Sequence, residues 1–426
     1  MPPILTRAAN RLPWALMAPT CGLCLAVAMA PLPARSQPAD AKGQSWAQIK
    51  ASRQWTELRD AMTIGEALNA DRLAFLTQTV LPQLESPANR PQIDRVVRRE
   101  LREAQNWTND QDSFEQYTKT LANFMVQLAR DGKKEPVVRV NAVLLVGELN
   151  DDGKKRPWPG AVAPLAAIVA DPGLPPEVRI AAAAGLQRHG DAARAAGPQP
   201  LTAFADTVAP AIAAMLAAPN GIDRAAADWL ATRALILIRA LGSAAPPAAV
   251  SAVVALFDDA AKPVDLRIRS AAVVGTMQAK EADPGKFVAT VESLAGSLLQ
   301  AEQAAVQSEK SATARPGQEA AQPARRQAGR QLAWRLATLA DAVFTDDTTA
   351  GMALRIPDAT AAAAAKDFAR RLRQAALDIN QSPGEEAVQA ALETLAGVKP
   401  PPEPKPEPET PAKPAPPEVD PDNPFK

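Results

Sequence analysis

An all-α solenoid of stacked helix pairs is the fold class this sequence predicts, and three observations predict it. One short cassette, a Val or Leu followed by an Arg and an Ala-rich helix, occurs three times. The copies are Val138-Arg139-Val140-Asn141-Ala142-Val143-Leu144-Leu145-Val146-Gly147, Val178-Arg179-Ile180-Ala181-Ala182-Ala183-Ala184-Gly185-Leu186 and Leu266-Arg267-Ile268-Arg269-Ser270-Ala271-Ala272-Val273-Val274-Gly275. Their spacing is periodic: Arg139 and Arg179 lie 40 residues apart and Arg179 and Arg267 lie 88 apart, against about 40 to 47 for a two-helix unit. Apolar residues at helical spacing also fill the region ahead of the first copy. Each such unit hides its apolar face only against its neighbours, so the units must stack.

The chain begins with Arg7 and Arg11 and no acid, continues with an apolar stretch from Leu12 to Ala30, and reaches Ala34-Arg35-Ser36 before Gln37. A basic start, an apolar middle and small residues at minus three and minus one form a secretory signal over 1–36, cleaved after Ser36. Leu12 to Leu32 could nearly span a bilayer, which makes an uncleaved anchor the alternative. Pro13, Pro19, Pro31 and Pro33 oppose a long regular helix and favour cleavage. Neither Thr20 before Cys21 nor Leu23 before Cys24 is the small residue that bacterial lipid attachment needs.

Residues 37–134 are expected to form a helical cap that closes the first open end of the stack. Trp46, Ile49, Trp55 and Leu58 share one helical face, and Leu73, Phe75, Leu76, Val80 and Leu84 the next. Ile93, Val96, Val97 and Leu101 mark a third helix, and Phe114, Tyr117, Leu121, Phe124, Met125 and Leu128 a fourth. This aromatic-rich stripe reads as core rather than as a ligand box.

The repeats are expected over 135–280. Ala161 to Pro172 leads through Pro175-Pro176-Glu177 into the second cassette; Val208 to Leu216 precedes a helix over 225–241, and Ala248 to Phe257 precedes the third cassette. Here the chain resembles HEAT repeats. The match is closest over 161–190, where a first helix with an early Pro, an Asp-Pro linker, a Glu-Val-Arg segment and an Ala-rich second helix follow one another. The resemblance implies a right-handed α-α superhelix whose curved surface binds a partner. Between the last two cassettes the count requires one more unit, supplied by the helix around Trp229 to Gly242, with Ala231 where the arginine would fall. An unbroken arginine ladder is therefore not expected.

From 281 to 398 the repeats are expected to degenerate. Phe287–Leu299 and Gln331–Phe344 read as a helix pair split by a mobile polar insertion near 301–330, and Thr360–Ile379 and Glu385–Leu395 as closing helices around Ser382-Pro383-Gly384. The segment 399–426 holds twelve prolines interleaved with Lys and Glu. It is expected to be extended and disordered, with a reach of about 70 to 80 Å.

Chemical resources are sparse. Both cysteines precede Ser36, so the processed chain offers no disulfide or thiolate chemistry. Loss of Arg7, Arg11 and Arg35 from 47 basic residues set against 47 acidic ones leaves it at −3, which gives no electrostatic reason to expect nucleic acid. His189, the sole histidine, precedes Gly190 at what reads as a helix end, and with no second His or Cys neither zinc nor a catalytic triad is expected. Glu148-Leu149-Asn150-Asp151-Asp152-Gly153 resembles half a calcium loop, but its twelfth position is Pro159 rather than a bidentate Glu. Asp258-Asp259 and Asp346-Asp347 read as loop carboxylates. Arg95, Arg98, Arg99 and Arg102 alternate with Asp94, Glu100 and Glu103 as a salt-linked face, whereas Arg370, Arg371 and Arg373 could meet an anionic surface. Asn106-Trp107-Thr108 and Asn380-Gln381-Ser382 fit glycosylation acceptors. No phosphate loop, dinucleotide fingerprint or nucleophile elbow occurs.

No catalytic, cofactor-binding or metal residue is therefore expected, and no cofactor. The expected function is an exported, periplasmic or extracellular, non-enzymatic scaffold or adaptor that binds a protein or other macromolecule along its repeat surface, with no stable membrane insertion after signal cleavage. The alternatives are a cell-envelope protein tethered by its tail and a cofactor-free hydrolase using scattered carboxylates.

Overall fold

Ser45 and Gln48 cap each other's backbone N–H groups at the start of α1 (Trp46–Lys50). The computed structural model describes residues 44–108, 110–151, 156–217, 222–312, 322–346, 350–382 and 384–395, the side chains of 95, 96, 309–312 and 322–324 excepted. The expected secretory signal over 1–36 and the expected extended tail over 399–426 lie outside these residues. Among the described residues every regular element is helical; the antiparallel bridges Asn150 with Pro157 and Thr345 with Ala350 are isolated.

The cap is less regular than its apolar spacing suggests. Ser52 ends the first expected helix early and caps α2 (Arg53–Ile64), accepting from Trp55 N at 3.2 Å. After α3 (Ala70–Phe75) the chain turns π-helical over Leu76–Val80 and 3₁₀ over Leu81–Leu84 and Pro87–Gln92. Pro82, Pro87 and Pro91 bring no N–H to an α ladder, so its hydrogen bonds must re-register. A buried amide replaces them: Asn89 accepts from Trp46 N at 3.0 Å and donates to Gln83 Oε1 at 2.8 Å. Another π segment, Ile93–Val97, then leads into α4 (Arg98–Glu103). Trp46, Trp55 and Trp107 stack edge to face at centroid separations of 5.4 and 5.0 Å, and the Tyr117 hydroxyl donates to Leu101 O. Trp46, Trp55 and Tyr117 are buried, as expected of core.

The remaining helices are α5 (Gln111–Arg130), α6 (Pro136–Glu148), α7 (Val162–Ala170), α8 (Pro176–Ala196), α9 (Pro198–Leu216), α10 (Arg224–Leu241), α11 (Pro247–Asp258), α12 (Val264–Met277), α13 (Pro284–Ala312), α14 (Gln322–Val343), α15 (Ala359–Gln381) and α16 (Glu385–Leu395). They form a solenoid-like stack. In the second layer α6, α8, α10, α12, α14 and α15 pack in succession; in the first α7 packs on α9 and α9 on α11, and α7, α9, α11 and α13 each pack on the helix that follows. Helix α5 pairs with α6 in the same way, so the repeats start before residue 135.

A shared hydrogen bond shows why α5 belongs to the repeats. Arg139 Nε donates to Ala129 O at 2.8 Å, Arg179 Nε to Val169 O at 2.8 Å, and Arg267 Nε to Phe257 O at 3.0 Å. In each case the cassette arginine caps a carbonyl at the C-terminal end of the preceding helix, ten residues upstream. That carbonyl has no partner within its own helix, and the negative end of the helix dipole favours a cation there. The intervening turns also match. Asp131, Asp171 and Asp259 end α5, α7 and α11 with ψ between 103° and 107°, and each Oδ1 accepts at 2.9 Å from the N–H two residues on.

The third unit departs from this scheme at Ala231. Arg179 Nη2 crosses from the preceding unit to Ala214 O at 3.3 Å, in the last turn of α9. Asp223, which keeps the spacing of the turn aspartates, caps α10 instead by accepting from Ala226 N.

Small residues let the second-layer helices approach. A Cβ on Gly147 would lie 2.8 Å from the Cα of Gly185, and one on Gly275 would meet the Ala342 carbonyl at 2.1 Å. Ala182, Ala183 and Ala271 are fully buried, as are Val146, Leu186 and Val274 in the seams between units.

Beyond 281 the helices are longer and differently ordered than expected. The 301–330 region is mostly helix: α13 extends through 312 and α14 starts at 322, with 313–321 outside the described residues. Helix α15 then stays in the second layer beside α14, and α16 returns to pack on α13, so the last pair enters in reverse order.

Leu186→Asp would place an unpaired carboxylate in a closed seam, and a loss of several kcal/mol is expected, spreading to adjoining units. Urea unfolding checks this: the midpoint should fall steeply, and an unchanged midpoint would contradict the packing described.

Candidate interaction surface

Three successive second-layer helices turn an aromatic and cationic strip away from the core. Counting from the arginine position of each cassette, Trp229 on α10 and Asp265 on α12 stand two residues before it, and Arg233 and Arg269 two after. Both positions face outward because the residues between and beyond them, Leu230, Ala231 and Ala234 on α10 and Leu266, Ile268 and Ala271 on α12, fill the seams. Trp229 is 57% exposed and Trp334 on α14 39%.

The strip is held laterally. Arg269 places its guanidinium 5.0 Å from the centroid of the Trp334 ring, and Arg335 Nε lies 2.7 Å from Asp265 Oδ1. A cation over an exposed indole contributes about 0.5 to 1 kcal/mol. Arg233 Nη1 donates to Gln187 Oε1 at 3.3 Å and fixes the edge next to α8. An exposed indole forfeits a large apolar burial, and this strip leaves two of them beside arginine.

A second depression lies on the first-layer side, where α13 diverges from α11. The Phe257 and Phe287 rings touch at 4.9 Å and Lys286 Nζ meets Asp258 Oδ2 at 2.5 Å. Past that contact a groove of about 360 Å³ opens along Arg267, Lys286, Thr290, Ser293 and Ser297. The Thr290 and Ser297 hydroxyls donate to carbonyls of their own helix.

His189 is not at a helix end. Helix α8 continues through Gly190 to Ala196, because Gly190 answers a close neighbour rather than a stop: a Cβ there would lie 3.1 Å from the Phe204 ring. His189 is 4% exposed, and its buried Nε2 has no hydrogen-bond partner. Burial, and then the neighbouring Arg188 charge, push its pKa down to about 4. The imidazole is neutral at pH 7.

The other sequence candidates are placed apart and engaged in structure. Glu148 faces Arg98 at 3.7 Å and Arg102 at 3.3 Å, and Asp151 pairs with Arg156 at 2.9 Å; 152–155 lie outside the described residues. Arg99 pairs with Glu103 within α4, while the Arg95 side chain is outside the described residues. Arg370 forks onto Asp346, Arg371 donates to Thr394 O, and Arg373 reaches Asp341 and Phe344 O. These guanidiniums close the end of the stack instead of forming a bare cationic patch. Asp347 is outside the described residues. Thr108 of the first glycosylation triplet is buried and donates to Asp110 O, whereas Asn380 and Ser382 are exposed.

Sequence reasoning missed the Trp229 and Trp334 strip and the arginines that cap distant helices. Arg188 donates to Gly147 O and Leu149 O at the end of α6, and Arg194 to Ala240 O at the end of α10. A signal for Trp229 was present: it occupies the cassette position that holds Glu177 and Asp265 in neighbouring units, where a buried tryptophan is out of register.

No group of three or more His, Cys, Asp or Glu placed to hold a metal occurs among the described residues, and no described helix is long and apolar enough to cross a membrane. Compared with protein-family models, curated proteins and solved structures, the chain finds no match.

The lowered pKa of His189 fixes a pH dependence. Below about pH 6.5 the unfolded chain protonates this group while the folded chain does not, so stability falls as pH drops from 6.5 towards 4, by about 3 kcal/mol in all. Denaturation midpoints measured across that range should show the decline, and His189→Leu should flatten it; an equal slope in both proteins would contradict the burial of the imidazole.

Proposed function

We propose that this chain is an exported, non-enzymatic scaffold or adaptor that binds a protein through the outward face of its second helix layer. The observation that carries the reading is the Trp229–Arg269–Trp334 strip: two exposed indoles on the same helix layer, with the Arg269 guanidinium against the Trp334 ring. Tryptophan and arginine are the residues most enriched among interface hot spots, because each brings a large contact area with a polar handle. The stack supports the reading as well, since a solenoid presents side chains from successive units on one continuous face. Its likeness to HEAT repeats over 161–190 argues in the same direction by analogy of fold. Export rests on the leader over 1–36.

Site-specific photo-crosslinking in cells making the full chain tests the proposal. A crosslinker at Trp229 or Ala272 should trap one discrete partner protein, and Arg269→Glu should cut the yield about tenfold, a loss of some 1.4 kcal/mol. A crosslinker at Ala289, on the opposite layer, should trap none of it. Equal capture from both layers, or no effect of Arg269→Glu, would contradict the reading.

A further inference from the structure

We infer that the Trp229–Arg269–Trp334 strip is a docking site for an acidic proline-rich segment, and that its occupant is the chain's own residues 399–426, bound in cis. This rests on the reading of the strip as a binding face: the tail covers it in the free chain and a partner protein displaces the tail, so loss of the contact in cis and loss of partner capture are separate outcomes.

The chemistry of the strip selects such an occupant. Proline-rich segments in the polyproline-II form dock on exposed aromatic rings, and they lose little conformational freedom in doing so. Trp229 and Trp334 supply the rings; Arg269 lies on the Trp334 ring, and Arg233 stands one turn beyond Trp229 on α10. In the tail, Pro400-Pro401-Pro402 and Pro406-Glu407-Pro408 flank Glu403, Pro404 and Lys405. The whole segment carries Glu403, Glu407, Glu409, Glu418, Asp420 and Asp422 against Lys399, Lys405, Lys413 and Lys426. An acidic balance thus meets two arginines, and the pairing should weaken with salt.

Spacing and reach agree as well. Trp229 and Trp334 stand two helices apart in one layer, about 16 to 20 Å at ordinary helix separations. Pro402 and Pro408 are six residues apart, about 19 Å at 3.1 Å per polyproline-II residue. The segment follows α16, which packs on α15, and α15 packs on α14, the helix carrying Trp334. Helix α16, ending at Leu395, is therefore two helices from the one that carries Trp334, about 20 Å by helix separation, which a segment with a reach of about 70 to 80 Å can cover.

The test uses the full chain with Cys21→Ser, Cys24→Ser and Thr410→Cys, the last labelled with a nitroxide that quenches nearby indoles. Since two of seven tryptophans form the strip, emission should drop by about a quarter relative to the reduced label. The drop should be independent of protein concentration, shrink in 1 M salt, and vanish in Trp229→Ala with Trp334→Ala and in Arg269→Glu. Circular dichroism and melting of these surface variants should match the parent. A drop that grows with concentration would assign the tail to a second copy and overturn the contact in cis. An absent drop, or one that survives all three substitutions, would overturn the site.

Discussion

The bond from a cassette arginine to the last carbonyls of the preceding helix is the constraint on which the stack depends. A helix that ends inside a solenoid leaves carbonyls without partners, and the tight turn to the next helix keeps water from serving all of them. Arg139, Arg179 and Arg267 meet that need with one geometry, Nε to the carbonyl ten residues upstream, across turns closed by Asp131, Asp171 and Asp259. Because the acceptor belongs to one helix and the donor to the next, the bond fixes both the angle of the turn and the register of the pair. Burial lowers the pKa of Arg179 from its ordinary value, yet the group starts so high that it stays charged.

This arrangement also explains the tolerance of Ala231. The unit without an arginine is served by Arg179, whose second nitrogen reaches the end of α9. One guanidinium thus caps two helices in consecutive units, a use that lysine could not copy because the bonds diverge from a planar fork. Arg188 and Arg194 do similar work at the ends of α6 and α10. With so many cations committed to carbonyls, the arginines left on the outward strip, above all Arg269 on the Trp334 ring, stand out as surface groups.

Much of this was legible in the sequence. The cassette period gave the helix pairs, and its Ala, Val and Leu positions are the buried seams. The sequence could not reveal the acceptor of each arginine, because backbone carbonyls have no letter code, and so α5 was grouped with the cap although Ala129 O is the partner of Arg139. Gly190 read as a stop because glycine at a helix end and glycine beneath an aromatic ring look alike in one dimension. The polar composition of 301–312 suggested a loop, whereas the exposed sides of α13 need no apolar residues. Proline positions in 82–91 did warn of irregularity, but the buried Asn89 amide that replaces the lost ladder is a tertiary event. For the candidate surface, position within the cassette was informative and residue type misleading: a tryptophan suggests core until its register is counted.

Regional amide hydrogen exchange on Arg179→Met and Arg267→Met tests the central claim most directly. If arginine staples hold the helix ends, Arg179→Met will speed exchange at the C-terminal turns of both α7 and α9, in residues 166–170 and 212–216. Arg267→Met will do so only at the end of α11. Uniform loss of protection over the whole stack in both variants, or unchanged protection at the end of α9 in Arg179→Met, would contradict it.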